Sequence, residues 1–237
     1  AYYLHDSYKN LSDVLQLPHQ CDDEINPNLA LYLKDYLHHS GRYFHPSNFS
    51  SFYGFAAGAM HSYSNIATAL AAFTLEQKTK TPFNALAQQY LFAPLQMTNS
   101  SWASSKPDAQ VATRFRYNRQ TATLTALPNY GIVTYADGSA ISSANDLARF
   151  LIASLDQGKL NQQQVLSATA VSAMLSPQTT TPVPSRDIGY FWQLDGRYIH
   201  HDGSDPGVMS QIIGDLNRKN GVILLSNGDD SDAQQAE

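Results

Sequence analysis

Ile199-His200-His201-Asp202-Gly203-Ser204-Asp205-Pro206-Gly207 is the stretch from which the rest of the chain is read. On either side, Ile188 to Leu194 and Met209 to Asp215 have the apolar content of half-buried strands, and short polar residues with two glycines interrupt them. Val222 to Asn227 follows an Asn220-Gly221 pair that predicts a tight hairpin turn. The pattern predicts an antiparallel sheet with His201 on an edge. Histidine titrates near neutrality and both gives and takes protons, and a glycine two residues on lets a ligand lie close to the strand. Those properties predict the wall of a ligand site. His200, His201, Asp202 and Asp205 do not predict a metal centre, because adjacent strand residues point to opposite faces and the two histidines cannot reach one ion without a bulge. A single strand histidine is more often structural than catalytic, so the site reading leans on a second motif far upstream, Tyr63-Ser64-Asn65.

Composition sets the outer bounds. The 237 residues are 43% apolar and 15% charged, ordinary for a globular protein able to bury a core. A formal charge of -5 without a lysine or arginine cluster argues against a nucleic-acid partner or an anionic membrane surface. No segment is apolar enough to predict a membrane span. The single Cys21 excludes an internal disulfide framework and a cysteine zinc site. The opening Ala1-Tyr2-Tyr3-Leu4-His5-Asp6 lacks the basic and then apolar character of a signal peptide, which predicts a mature or trimmed chain.

Taken in order, residues 1 to 27 read as loop, and a helix is predicted from Leu29 to His38, with Leu29, Leu33, Tyr36 and Leu37 on one face and Gly41 past its end. Residues 42 to 61 read as irregular. After Tyr63-Ser64-Asn65, the residues Ile66, Ala69, Leu70 and Phe73 recur at helical spacing, placing the motif at a loop-to-helix corner. Thr81 as cap and Pro82 in the first turn predict a further helix with Phe83, Leu86, Ala87, Tyr90 and Leu91 as its stripe, ending before Pro94. Val111 to Leu127 predicts an exposed hairpin about Asn118-Arg119, and Asn129 to Gly138 a loop. Ser143 with Asp146 predicts a capping box ahead of Leu147, Phe150, Leu151 and Leu155, with Gly158 as the stop. A short helix over Ser167 to Leu175 precedes a connection rich in proline and threonine, Pro177 to Pro184. The layout is a mainly helical region over residues 1–187 and antiparallel strands over 188–237, with no internal repeat. Helices segregated from an antiparallel sheet predict an α+β fold.

Four motifs in one order resemble the serine β-lactamase-like family, the group that contains class C β-lactamases, D-alanyl-D-alanine carboxypeptidases and related esterases. They are Tyr63-Ser64-Asn65 for its Tyr-x-Asn motif, Phe92 to Thr98 for its Pro-Leu-Gly-Met segment, Gly138 to Leu147 for its Ser-x-x-Asp-Leu stretch, and His201-Asp202-Gly203 for its Lys/His-x-Gly strand. Asp205-Pro206-Gly207 and a terminal hairpin follow. The resemblance covers roughly Leu29 to Asn227 and implies the β-lactamase/transpeptidase-like fold. It also implies the family's periplasmic or secreted location and its chemistry: a serine attacks a carbonyl, is acylated and is freed by water.

The same resemblance assigns roles. Tyr63 matches the proton-transfer tyrosine; an unperturbed tyrosine titrates at about 10, so it needs nearby positive charge, which a lysine helped by His201 is expected to supply. Asn65 matches the residue that holds the substrate amide. His201 and Gly203 line the substrate strand, and the Ser204 N–H matches one oxyanion donor. A small molecule or a peptide is the implied substrate. No cofactor or metal is implied, and the oligomeric state is left open.

The departures are as informative. No lysine of the chain has a serine three positions before it, so the family's Ser-x-x-Lys nucleophile is missing, and the sequence reads as a member lacking both ends. Ala57 stands where the family usually has proline before Gly58, and Gln96 where it has glycine. Histidine in the strand motif is commoner among the family's esterases and peptidases than among dedicated β-lactamases. A rival reading is a non-catalytic binding module that recognises a peptidoglycan-like peptide or acyl group without turning it over.

Overall fold

The computed structural model describes residues 3–4, 15–16, 25–44, 49–50, 61, 63–102, 111–127, 131–179 and 187–230. Cys21, the Ala57-Gly58 pair and most of the Pro177–Pro184 connection lie outside the described residues, as does most of the irregular segment at 42–61. The helices are α1 (Ile25–Leu37), α2 (Asn65–Thr79), α3 (Phe83–Ala87), α4 (Ala144–Leu155) and α5 (Ala168–Met174). In chain order the strands are β1 (Tyr3–Leu4), β2 (Leu15–Gln16), β3 (Phe49–Ser50), β4 (Ser101–Trp102), β5 (Phe115–Asn118), β6 (Thr123–Ala126), β7 (Gly131–Ile132) and β8 (Ala140–Ile141). They continue with β9 (Lys159–Leu160), β10 (Gln163–Gln164), β11 (Asp187–Ile188), β12 (Gln193–Asp195), β13 (Tyr198–Asp205), β14 (Val208–Asp215), β15 (Asn220–Ser226) and β16 (Gly228–Asp230). The architecture is α+β, as the segregated helix and strand patterns predict. No described helix is long and apolar enough to cross a membrane.

The chain divides into two units, one of residues Ala1–Ala93, Ser100–Pro107 and Tyr130–Ile141, the other of Pro94–Asn99, Asp108–Asn129 and Ser142–Glu237. In the first, Leu29, Tyr32, Leu33 and Tyr36 of α1 form one stripe, which packs with Ile66 and Ala69 of α2 and with Val133 and Tyr135. Helix α1 begins four residues before the predicted Leu29. Pro27 falls in its first turn, where the missing N–H has no intrahelical partner to lose. Thr81 is not the cap of α3; Pro82 holds that position, and the Phe83 N–H is taken instead by the Glu76 carboxylate at 2.8 Å. Beyond Ala87 the helix loosens into a π turn over Gln88–Phe92.

The predicted loop at 129–138 is also more ordered than its glycine and tyrosine content suggests. Residues 132–136 are buried, Tyr135 donates its hydroxyl to Glu76, and the Trp102 indole N–H bonds the Tyr135 carbonyl at 3.0 Å. Burial pushes the Tyr135 hydroxyl well above the usual tyrosine range, with the Glu76 carboxylate adding to it, so it remains a neutral donor. Trp102 in turn meets Phe83 edge-on at 5.0 Å. A side-chain anchor thus fixes a backbone that propensity alone leaves irregular.

The second unit is built on a five-stranded antiparallel sheet in the order β11-β12-β13-β14-β15. Helix α4 starts as predicted, with the Ser143 hydroxyl accepting the Asp146 N–H at 3.2 Å, and Asp146 also reaches the Asn99 N–H at 2.7 Å. Gly158, at φ +86, ends the segment in the left-handed region as the stop signal requires. Leu151 and Leu155 of α4 pack with Trp192, Leu194 and Ile199. Registry of β13 with β14 pairs Ile199 with Gly214, His201 with Ile212 and Gly203 with Ser210, which puts these residues on the face that α4 covers at one end.

Asn220-Gly221 does not make the β14–β15 turn; both residues already pair in the ladder, Asn220 with Asp215 and Gly221 with Gly214. The turn is the preceding Leu216–Lys219, held by the Asp215 carboxylate, which accepts the N–H groups of Asn217 and Arg218 at 3.0 Å each, and by Lys219 at φ 53. Gly221 has a different reason to be glycine: a Cβ there would stand 2.2 Å from the Ile213 carbonyl oxygen of β14 and 2.6 Å from Leu151 of α4. The hairpin β5–β6 forms as read, and β16 adds to β5 in parallel.

Candidate active site

The Tyr63 motif owes its position to a helix cap. Ser64 sits in extended backbone at φ -156, ψ 118, and its hydroxyl accepts the Ala67 N–H at 3.1 Å, satisfying one of the donors that every helix start leaves open. With Ser64 turned into the helix and 7% exposed, Tyr63 and Asn65 are both turned outward, Tyr63 with 59% of its surface exposed. The Tyr63 hydroxyl donates to the Asn65 Oδ1 at 2.9 Å. One capping serine therefore holds a phenol and an amide in register with each other, and the sequence spacing alone carries no sign of that bond.

The strand motif is shaped by where a neighbouring ladder stops. β12 pairs with Tyr198, Ile199 and His200 and goes no further, so β13 is central at its beginning and lies beyond the end of the β12 ladder from His201 to Asp205. The predicted edge thus begins within a strand that is interior at its start. His200 and His201 alternate across the sheet, opposite Ile213 and Ile212. Asp202 lies on the His200 face, where the Gln211 amide donates to it at 3.0 Å. Among the described residues, no group of three or more His, Cys, Asp or Glu side chains is placed to hold a metal ion.

Three further features were not visible in the residue pattern. The space in front of Gly203 is occupied: a Cβ there would stand 2.5 Å from the Ser210 Oγ. Asp205, two residues further along the same face, has its carboxyl pushed up to about 6 by burial, against the pull of the Arg114 charge. Gly207, at φ +76, turns β13 into β14 against the hairpin arm, where a Cβ would meet Arg114 Cβ at 2.7 Å and Leu127 Cδ1 at 2.9 Å. Only the strand register, which pairs Gly203 with Ser210, could have disclosed the first of these beforehand.

The structure therefore brings Tyr63 to Asn65, and His201, Gly203 and Ser204 onto one strand segment. A phenol hydrogen-bonded to an amide can relay a proton and hold a carbonyl. A strand segment with an imidazole and a backbone N–H can hold an acyl or carboxylate oxygen.

Solved structures share the fold. Among solved structures, the penicillin binding protein from Bacillus halodurans superposes with a TM-score of 0.67 at 18% identity, over 96% of this chain and 66% of that one. The octameric penicillin-binding protein homologue from Pyrococcus abyssi gives 0.61 at 18% identity, over 84% and 48%. The D-amino acid amidase from Ochrobactrum anthropi SV3 gives 0.58 at 21% identity, over 73% and 51%. At these identities the likeness is one of fold, and the chain spans about half to two thirds of the length of these proteins. No curated protein matches the chain in sequence. The family model described as Beta-lactamase matches residues 38–237, a region that holds both the capped tyrosine motif and the histidine strand, and the chain belongs to that family of serine hydrolases.

Proposed function

We propose that this chain carries the proton-transfer and substrate-holding groups of a hydrolase that works through an acyl-enzyme on an ester, an amide or a D-amino-acid peptide. The observation that carries the reading is the Tyr63–Asn65 hydrogen bond at the capped start of α2. In this assignment the Tyr63 oxygen takes the proton of the attacking hydroxyl and returns one to the leaving group. Asn65 holds the substrate amide, the Ser204 N–H is one oxyanion donor, and Gly203 lies beside it on the substrate strand. His201 holds the substrate carboxylate or carbonyl.

An imidazole holds a carboxylate less firmly than an ammonium does, which favours a carboxypeptidase or esterase over a dedicated β-lactamase. A periplasmic or secreted location suits such substrates. No serine in these 237 residues precedes a lysine by three, so we assign no nucleophile within them.

That last observation also favours a second reading, a cleft that binds a peptidoglycan-like peptide or acyl group without turning it over. Covalent labelling separates the two. A fluorophosphonate or penicillin probe is expected to leave residues 1–237 unlabelled and to label a longer polypeptide in which a Ser-x-x-Lys segment precedes them. Labelling of the 237-residue chain itself would place a nucleophile within it, and labelling of neither form would favour the binding module.

A further inference from the structure

Gly203 and Ser210 are directly opposed across the β13–β14 ladder, on the face that also carries His201. The Ser210 Oγ lies 2.5 Å from where a Gly203 side chain would begin, so the absence of a side chain on one strand makes room for the hydroxyl of the next. Gly203 has no left-handed backbone to explain it; the explanation is this close approach. Ser210 is half-buried, and its hydroxyl makes no hydrogen bond to any described residue. A hydroxyl can donate once and accept twice, and one placed on a half-covered strand without a partner among the described residues is able to answer a ligand. The register sets it two residues along the ladder from the His201–Ile212 pair, on the same face.

The geometry points to Ser210 as a ligand-contacting residue of the strand site, its hydroxyl sharing with His201 a carboxylate or carbonyl oxygen of the bound acyl compound. This rests on the reading of His201 as a substrate-holding group. It adds a specificity element: a ligand whose acceptor oxygen spans the two side chains is preferred over one of the same size that lacks it.

The test uses N-acetyl-D-alanyl-D-alanine as the probe, titrated into the 237-residue chain and followed by amide chemical shifts. The expected result is saturable movement of the His201, Gly203, Ser204 and Ser210 signals, with Ser210→Ala binding about 2- to 10-fold more weakly at an unchanged melting temperature. Gly203→Ala forces the hydroxyl aside and should weaken binding to a similar extent, and the double variant should lose little more than either single one, because both remove one contact. Binding by Ser210→Ala within twofold of the parent, or full additivity in the double variant, overturns the Ser210 assignment while leaving His201 in place. No movement of the strand signals at all would overturn this inference together with the substrate-holding reading of His201.

Discussion

Asp205→Asn makes a sharp test of the electrostatics around the strand site. The Asp205 carboxyl rises from an ordinary 3.8 to about 6 because burial disfavours its charge more than Arg114 favours it. Folded chains therefore bind this proton more tightly than unfolded ones, so the group favours folding at acid pH, and that contribution falls as pH rises through the window from 3.8 to about 6. At roughly 1.4 kcal/mol per pH unit the full difference is about 3 kcal/mol, and partial solvent access reduces it to about 1–3 kcal/mol. Asparagine cannot ionise and removes the dependence.

Urea unfolding of parent and variant at pH 4 and pH 7.5 supplies four free energies. The variant should gain about 1–3 kcal/mol on the parent between the acid and the neutral condition. Two other carboxyls run the other way. Lys219 lowers Asp156, and Asp215, which burial alone would raise, is held down by the N–H groups of Arg218 and Asn217 and by the charges of Arg197 and Arg218. Both lose stability on acidification, in parent and variant alike, and so cancel in the difference. Parallel pH curves for the two proteins would refute the account of a desolvated Asp205.

Three further expectations follow from local geometry. Ser64→Ala deletes the cap of α2 and should cost about 0.5–2 kcal/mol by denaturant unfolding while loosening the Tyr63–Asn65 pair. Gln96 sits at φ 56 between the buried Leu95 and Met97, so Gln96→Gly should raise stability by about 0.5–1 kcal/mol, and a loss would show that the side chain supplies a contact worth more than the strain. In a longer, active form, Tyr63→Phe should lower kcat by about 10²- to 10⁴-fold, whereas His201→Ala should act chiefly on KM; a larger kcat loss for the histidine variant would exchange the two roles.

Local signals carried much of the layout because the physics they report is local. Ser143 and Ser167 cap α4 and α5 where the residue types say they should, and the apolar stretches at Met209–Asp215 and Val222–Asn227 fall in strands that pair in the ladder. Elsewhere tertiary contacts decided. Asn220-Gly221 has the composition of a turn, yet its glycine answers the approach of the Ile213 carbonyl and of Leu151, and the turn falls to an aspartate that binds two N–H groups ahead of it. Tyr135 and Trp102 order a segment that looks like loop because their partners lie 59 and 33 residues away in sequence. Gln96 occupies a left-handed position that explains why the family prefers glycine there, which a mismatch in a motif could only flag. For the candidate site, the Tyr63 corner was legible from spacing, whereas the Ser210 contact required knowing which residues face each other across two strands.

The alternation of the chain between its two units bears on how the protein is made. Val133 and Tyr135 belong to the same buried cluster as Leu29 and Ile66, and the last segment of that unit runs from Tyr130 to Ile141. During synthesis from the N-terminus, α1 and α2 emerge with an apolar stripe that cannot close over its full set of partners until more than half of the sequence has left the ribosome. Neither unit can be released by a single cut, so a protease acting on the finished protein should produce nicked molecules that stay together until they are denatured.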